Sequence, residues 1–194
     1  MGVVALRITL DANCIYDLED PNSPNFEPLD RLRWAHAAGR VRLAISTAVA
    51  SEKQKGGAPM DEYTQFADRV HATIPQIDQL TTLLYYDFGY WGAGMYSDEA
   101  ATALDRAIHD ILFPEQPFDN ASYPAEGRLP SGVHPKWRNR KCDILGMWAH
   151  IHHDCDAFVT SDTNFHKATK KEALKQLGAR EVWTPAEAVT QLGL

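Results

Sequence analysis

Three short runs of apolar, largely β-branched residues constrain the fold of this chain more than any other feature. They are VVALRITLD (3–11), VRLAIST (41–47) and AFVTSD (157–162). Because each run is apolar almost throughout, each is typical of a strand buried on both faces of a parallel sheet. Helix patterns lie between the runs, and strands that alternate with helices predict an α/β fold.

Helix signals are clearest in the segment 28–39, which has proline at its start and glycine at its end. Further helices are expected at about 48–55, 61–74, 97–113, 140–154, 165–177 and 185–192, and a short fourth strand at 180–185. We therefore expect a three-layer α/β/α fold around a central, mostly parallel sheet of about 4–5 strands.

The domain organisation follows from length and from the middle of the chain. The 194 residues are enough for one core and few for two, and no repeat or linker divides them. We expect a single domain over 1–194 with an extended middle segment at about 76–138. Five prolines and two glycines between 114 and 138 predict a long irregular loop there.

Composition excludes several classes of protein. No apolar run reaches the roughly 20 residues of a membrane-spanning helix, and the N-terminus lacks the basic region and cleavage site of a signal peptide. Three irregularly spaced cysteines do not make a disulfide framework. A cytoplasmic protein with free thiols and no membrane contact is the simplest expectation.

Charge is unevenly distributed around a net value of −7. The acidic segment 59–119 holds two basic and eleven acidic residues, whereas 120–180 holds ten basic and six acidic ones. The acidic segment is either a docking surface for a basic partner or an ordinary solvated surface.

A basic stretch, HPKWRNRK (134–141), precedes the third strand by one helix. Cations bind phosphates, and a tryptophan can stack on a nucleic-acid base. The alternative interpretation is a solvated loop. The candidate substrate-binding residues are Lys136, Trp137, Arg138, Arg140 and Lys141. Of the lysines that follow the third strand, we expect only Lys167, in the first helical turn, to face substrate. Lys170, Lys171 and Lys175 are expected to lie on a solvated helix face.

Acidic and polar residues stand where the predicted strands end. Asp11 ends the first strand, Ser46 the second, and Thr160 and Asp162 the third. Because the carboxyl ends of parallel strands meet at one edge of a sheet, these residues are expected to lie close together. Two further acids lie on the adjoining helices, so the predicted cluster consists of Asp11, Glu52, Asp143 and Asp162.

Carboxylates crowded in this way repel one another unless a cation neutralises them. Hard oxygen ligands select Mg²⁺ or Mn²⁺. Two such ions about 3.5–4 Å apart can activate water and stabilise the leaving oxygen in phosphodiester hydrolysis. Each acid also has an ordinary interpretation, because aspartates are common in turns, at helix N-caps and near helix starts.

Three segments of the chain resemble PIN-domain nucleases: LDANCIYDL, LAISTAVASEK and CDILGMWAHIHHDCDAFVTSDTNF. In that family a strand ends in Asp with a small polar residue two positions on. A second strand ends in Ser or Thr before a helix-borne Glu, and an Asp-initiated helix leads to a strand that ends at Thr and Asp. The resemblance implies a PIN-like, Rossmann-like domain.

The resemblance also implies an activity, namely Mg²⁺- or Mn²⁺-dependent endoribonucleolytic cleavage by water that leaves a 5′-phosphate. It assigns catalytic and metal-binding roles to the four acids, and supporting roles to Asn13, Ser46, Thr160 and Asn164. The family often has an acid near position 164, so the number of metal ions stays open. Two biological roles also stay open, the toxin of a toxin–antitoxin pair and an RNA-processing enzyme. A protein inhibitor of antitoxin type and a homodimer are the corresponding partners.

Two other functions compete with this one. A catalytically degenerate PIN-like module would bind protein or RNA without cleaving it. An aspartate-dependent phosphatase would use a strand-end Asp as nucleophile, but that chemistry usually needs a second Asp where this chain has Asn13. The histidines of HIHHD (150–154) suggest zinc, yet only His150 and His153 share a helix face while His152 points elsewhere, and we interpret all three as surface or packing residues.

Overall fold

The computed structural model describes residues 5–51, 63–85, 89, 93–129 and 131–194. Fourteen helices and strands are used below. In chain order they are β1 (Leu6–Leu10), α1 (Ala12–Leu18), α2 (Phe26–Ala37), β2 (Val41–Ser46), α3 (Tyr63–Thr73), β3 (Asp78–Leu80), β4 (Thr82–Leu83), β5 (Gly94–Met95), α4 (Glu99–Leu112), α5 (Pro135–His152), β6 (Ala157–Val159), α6 (Ala168–Leu174), β7 (Glu181–Trp183) and α7 (Pro185–Leu192).

A five-stranded sheet with the order β3-β2-β1-β6-β7 forms the middle layer, and all of its strands are parallel. The chain adds β2 and β3 on one side of β1 and then returns to add β6 and β7 on the other. The strand order therefore reverses between β1 and β6. In open parallel sheets the crevice at this reversal, at the carboxyl ends of the strands, is the usual place for a ligand.

Helices cover both faces of the sheet, which confirms the expected three-layer α/β/α fold. Successive residues of a strand point to opposite faces, and β2 shows this directly. Leu43 and Ile45 pack in the core shared with α1, α2 and α3, whereas Ala44 packs in the core shared with α4 and α5. The first of these cores includes Ile8 and Leu10 of β1 and Val159 of β6, and the second includes Phe158 of β6.

Helix α5 begins at Pro135, earlier than the expected start near 140. Proline is favourable in a first helical turn because its missing N–H has no partner there. The side chain of His134 caps the helix by accepting a hydrogen bond from the backbone N of Lys136 (3.2 Å). As a result, most of the basic stretch lies on a helix, and Asp143 lies inside that helix and not at its start.

The structure differs from the predicted elements in two places, directly after β1 and directly after β2. Helix α1, which we did not predict, starts immediately after β1 with Asp11 as its N-cap. The helix expected at about 48–55 begins as a 3-10 turn, Thr47–Ser51. Its continuation, including Glu52, lies outside the described residues.

The expected irregular loop between α4 and α5 is confirmed. The side chain of Arg128 crosses the loop by donating hydrogen bonds to the backbone carbonyls of Asn120, Tyr123, Pro124 and Gly132. All three cysteines, Cys14, Cys142 and Cys155, are buried, and no disulfide joins them. Among the helices of the described ranges, none has the length and apolarity needed to cross a bilayer.

Candidate active site

Asp11 lies at the carboxyl end of β1, next to the point where the strand order reverses. Its backbone N donates to the carbonyl of Val159 in β6 (2.9 Å), and its side chain is largely buried. The carboxylate accepts three hydrogen bonds from neutral groups. Oδ1 accepts from the backbone N of Ala12 (2.8 Å), and Oδ2 accepts from Asn13 Nδ2 (2.9 Å) and Thr160 Oγ1 (2.6 Å).

Thr160 joins the ends of β1 and β6. Its fully buried hydroxyl donates to Asp11 and accepts from Asn13 Nδ2 (3.0 Å) and from the backbone N of Asp162 (3.0 Å). A hydroxyl has one donor and two acceptor positions, and all three are used. Thr160 therefore holds the two aspartates in a set arrangement, which gives it a structural role at this edge.

The side-chain Nδ2 of Asn13 donates to both Asp11 Oδ2 and Thr160 Oγ1, which lie close together. Its Oδ1 accepts from the backbone N of Ser161 (3.3 Å). A carboxylate at this position would have no proton to donate and would repel Asp11. The geometry therefore suits asparagine and disfavours the paired aspartates of an aspartyl phosphatase.

Asp162 provides a second carboxylate beside Asp11. Its Oδ1 accepts from the backbone N of Asn164 (2.8 Å). Burial raises the pKa of Asp11 above its ordinary value, and the negative charge of Asp162 raises it further, although hydrogen bonds from Thr160, Ala12 and Asn13 act in the opposite direction. Within the described ranges, no cationic side chain forms an ion pair with either aspartate.

Helix α5 carries Asp143 over the same edge of the sheet. Asp143 and His150 are seven residues apart and share a face of the helix, and His150 Nδ1 lies 3.0 Å from Thr9 Oγ1 in β1. Asp143 is about 10 Å from His150 along the helix, and Asp11 is about 7 Å beyond Thr9 along the strand. Asp143 therefore lies in the half of α5 that is nearer the carboxyl edge, half-buried and with interactions of its own.

Ser46 and Glu52 are the remaining predicted residues of the site. Ser46 is fully buried at the end of β2, level with Asp11 in the strand register, but its Oγ accepts from the backbone N of Ala48 (3.2 Å). Glu52 lies outside the described residues. In the described part of the chain, no group of three or more His, Cys, Asp or Glu side chains is arranged to hold a metal ion.

Two members of the predicted substrate-binding set are used inside the fold, which revises that expectation. Trp137 is buried, and its indole N–H donates to the carbonyl of Phe118 (2.8 Å). Lys141 is 1 % exposed, and its Nζ donates to both oxygens of Asp105 (3.0 and 3.1 Å) and to the hydroxyl of Tyr85 (3.2 Å). Neither side chain is free to contact a substrate.

Of the other three residues of this set, Lys136 and Arg140 reach the surface, whereas Arg138 is buried. Lys136 is exposed in the first turn of α5. Arg140 donates to the hydroxyl of Tyr123 (2.6 Å) and is half-buried. Arg138 is 5 % exposed, and its Nε has no hydrogen-bond partner among the described residues. All three lie within two turns of Asp143, towards the same edge of the sheet.

The histidines near the end of α5 point in different directions. His150 is buried between Thr9 and the carbonyl of Ala179 (2.8 Å). His152 stacks on the ring of Trp148 with centroids 4.4 Å apart, whereas His153 bonds to the carbonyl of Thr81 (2.9 Å). Their interpretation as surface or packing residues is confirmed.

Lys170 is a residue that we had assigned to a solvated helix face. Its Nζ donates to Asn164 Oδ1 (2.7 Å) and to the carbonyl of Leu112 at the end of α4 (2.5 Å). Asn164 Nδ2 also donates to the Leu112 carbonyl (3.2 Å). Lys170 follows Lys167 by three residues, a spacing that places two side chains on one helix face. This spacing was the sequence signal that could have predicted Lys170 near the site together with Lys167.

Comparisons with known proteins found no match, either among protein-family models or among curated proteins and solved structures. The function therefore has to be inferred from the geometry of this chain.

Proposed function

We propose that the chain is a divalent-metal-dependent endoribonuclease that hydrolyses RNA phosphodiester bonds at the carboxyl edge of its sheet. One observation carries the proposal. Asp11 and Asp162 come together where the strand order reverses, and the groups that hydrogen-bond to them are neutral. The resemblance to PIN-domain nucleases implies the same activity at the same residues.

The donor set fits Mg²⁺ or Mn²⁺. These ions prefer oxygen ligands, and Mg²⁺ commonly takes only one or two protein carboxylates and keeps several waters. Asp11 and Asp162 would hold the ion, with Asp143 and Glu52 as the further ligands that the resemblance implies. When bound, such an ion lowers the pKa of a coordinated water and neutralises charge on a phosphate.

The protein's own contribution is to fix the orientation of the carboxylates before a cation binds. A carboxylate has about four acceptor positions. Three hydrogen bonds to Asp11 leave one position on Oδ1. Asp162 Oδ2 accepts no hydrogen bond from the described residues. Thr160 and Asn13 restrict the rotation of the Asp11 side chain, so little ordering would be needed when a cation binds.

An RNA backbone has cations available at the same edge. Lys136 is exposed in the first turn of α5, and the half-buried Arg140 follows it one turn later. Each phosphate that such a cation contacts increases affinity and its dependence on salt. Within this proposal the chain acts as a toxin held by an antitoxin-like inhibitor or as an RNA-processing enzyme, alone or as a homodimer.

The test measures Mn²⁺ binding and cleavage of a labelled single-stranded RNA. The parent should bind Mn²⁺ and cleave only when Mg²⁺ or Mn²⁺ is present, and Asp162→Asn should lose both properties. Asp156→Asn is the matched control, because it makes the same change at the opposite edge of the sheet. Cleavage that persists in chelator, or an active Asp162→Asn variant, would contradict the proposal. RNA binding without cleavage under any divalent ion would indicate the binding module instead.

A further inference from the structure

The ammonium of Lys170 lies beside the proposed metal site and is held there from two sides. It donates to Asn164 Oδ1 (2.7 Å) and to the carbonyl of Leu112 (2.5 Å). Leu112 is the last residue of α4, and the carbonyl end of a helix carries partial negative charge that favours a cation. Lys170 is only half exposed. Its position is therefore determined by the fold and not by solvent.

A short chain of hydrogen bonds connects this ammonium with Asp162. Asn164 accepts from Lys170 through its side chain and donates its backbone N–H to Asp162 Oδ1 (2.8 Å). Partial burial and the charge of Lys167 lower the pKa of Lys170, and the negative charge of Asp162 acts in the opposite direction. Lys170 and Asp162 form no direct ion pair, so the space between them is not closed by a salt bridge.

The side-chain oxygen of Asn164 is thus already bound to a positive charge. An amide oxygen can serve as a ligand for a hard cation, but here it receives an N–H of an ammonium. A second dication at Asn164 would lie against the positive charge of Lys170, and at such distances that repulsion is costly.

We propose that the site binds a single divalent ion and that Lys170 supplies the second positive charge facing the phosphate. This inference rests on the proposed function, since it describes the same site. Lys170 acts as a positioning residue for the anionic substrate, and Asn164 and the end of α4 hold its ammonium. Removal of its charge should therefore tighten metal binding and weaken RNA binding.

The experiment counts Mn²⁺ ions bound per full-length chain and measures their affinity without RNA. The parent should bind one ion. Lys170→Met keeps the apolar stem and should bind one Mn²⁺ roughly tenfold more tightly, because a unit positive charge no longer repels the ion. Lys170→Arg should remain close to the parent. Lys171→Met is the matched control, since Lys171 lies on the same helix but pairs with Glu187 (3.9 Å), and its affinity should not change.

A double variant makes the assignment sharper. In the double variant, Lys170→Ala removes the ammonium and Asn164→Asp replaces the amide with a carboxylate. This variant should bind a second Mn²⁺. Two ions bound to the parent, or an unchanged affinity in Lys170→Met, would overturn this inference and leave the nuclease proposal intact. A parent that binds no Mn²⁺ would overturn the nuclease proposal and this inference with it.

Discussion

The two edges of the central sheet both carry aspartates, but they compensate the negative charge in different ways. At the amino edge every aspartate has an arginine partner. Arg7 and Arg42 both reach Asp78 (3.3 and 3.1 Å). Arg180 bridges Asp154 (2.5 Å) and Asp156 (2.6 Å). These pairs lie where β1, β2, β3, β6 and β7 begin, and they are partly exposed.

At the carboxyl edge the two aspartates nearest the strand reversal have only neutral hydrogen-bond donors among the described residues. Asp11 is the more buried of them, and burying a carboxylate without a paired charge is costly. Lys170, a cation held by Asn164, lies close enough to Asp162 for the charge of Asp162 to act on its pKa. The two edges therefore differ in how charge is compensated, by ion pairs at the amino edge and by neutral hydrogen-bond donors at the carboxyl edge.

The largest expected effect comes from the carboxyl edge. Asp11→Asn should reduce metal-dependent RNA cleavage by at least about a thousandfold, because the lost charge stabilisation is worth several kcal/mol. The same variant should lose at most about 1–2 kcal/mol in urea unfolding at neutral pH, because removal of a buried charge offsets the mismatch between its amide N–H groups and the donors that Asp11 accepts from. Burial raises the pKa of Asp11, so the stability it contributes is present below its unfolded pKa and is lost as pH rises through its folded pKa.

Asp11→Asn would break the comparison in two ways. Cleavage within tenfold of the parent would mean that Asp11 holds no cation. A large loss of stability at neutral pH would mean that its charge is compensated in the folded protein after all.

A fully buried ion pair separates the effect of pairing from that of burial. Lys141 and Asp105 are 1 % and 0 % exposed and lie 3.0 Å apart. Lys141→Met should lower the free energy of unfolding by about 3–5 kcal/mol, because Asp105 is left buried and unpaired. Adding Asp105→Leu should restore much of that loss.

Urea unfolding of the single and double variants measures this, and Lys136→Met serves as an exposed control on the same helix. A Lys141→Met variant as stable as the control would show that pairing does not govern the cost of buried charge here.

His150 lies between the two edges, and its burial lowers its pKa to about 4. The folded protein therefore binds fewer protons than the unfolded chain, whose histidine titrates near 6.5. The stability that neutral His150 contributes is complete above pH 6.5 and is lost as pH falls towards 4, by on the order of 3 kcal/mol.

The measurement compares the parent with His150→Asn in urea unfolding at pH 7, 5.5 and 4, so that other titrating groups cancel. The difference in stability between the two proteins should shrink as pH falls. A difference that stays constant over this range would show that His150 is not responsible for acid sensitivity.

The smallest effect is expected at the amino edge. Asp156→Asn should lower stability by about 1 kcal/mol or less, because its ion pair with Arg180 is partly exposed. The loss should become smaller at high sodium chloride concentration, where exposed charges are screened. RNA cleavage should not change. A cleavage defect in this variant would mean that the two edges are functionally coupled.

Much of the fold could be predicted because its signals are local. An apolar run such as VRLAIST (41–47) indicates a buried strand without reference to any other part of the chain. The rule that carboxyl ends of parallel strands share an edge then predicts that Asp11 and Asp162 are neighbours. The function assigned to those residues stays a prediction, since the charge pattern alone does not identify a bound ion.

Other features depended on contacts between residues far apart in the chain. The basic stretch suggested a substrate surface, yet Lys141 pairs with Asp105 from α4, and Trp137 bonds to Phe118 in the preceding loop. No local pattern distinguishes a lysine that meets a distant aspartate from one that meets solvent. Helix α1 was missed because its seven residues are too few for a clear helical period.

By itself, the sequence determined the layers of this protein and the edge at which its acids meet. Short apolar runs predict buried parallel strands, and the carboxyl ends of parallel strands share one edge. Only the tertiary structure decided which charges are compensated. Asp156 meets Arg180, Lys141 meets Asp105, and Lys170 meets Asn164 instead of an acid. Compensation of charge depends on distances of a few ångströms between separate elements, and those distances exist only after the chain has packed.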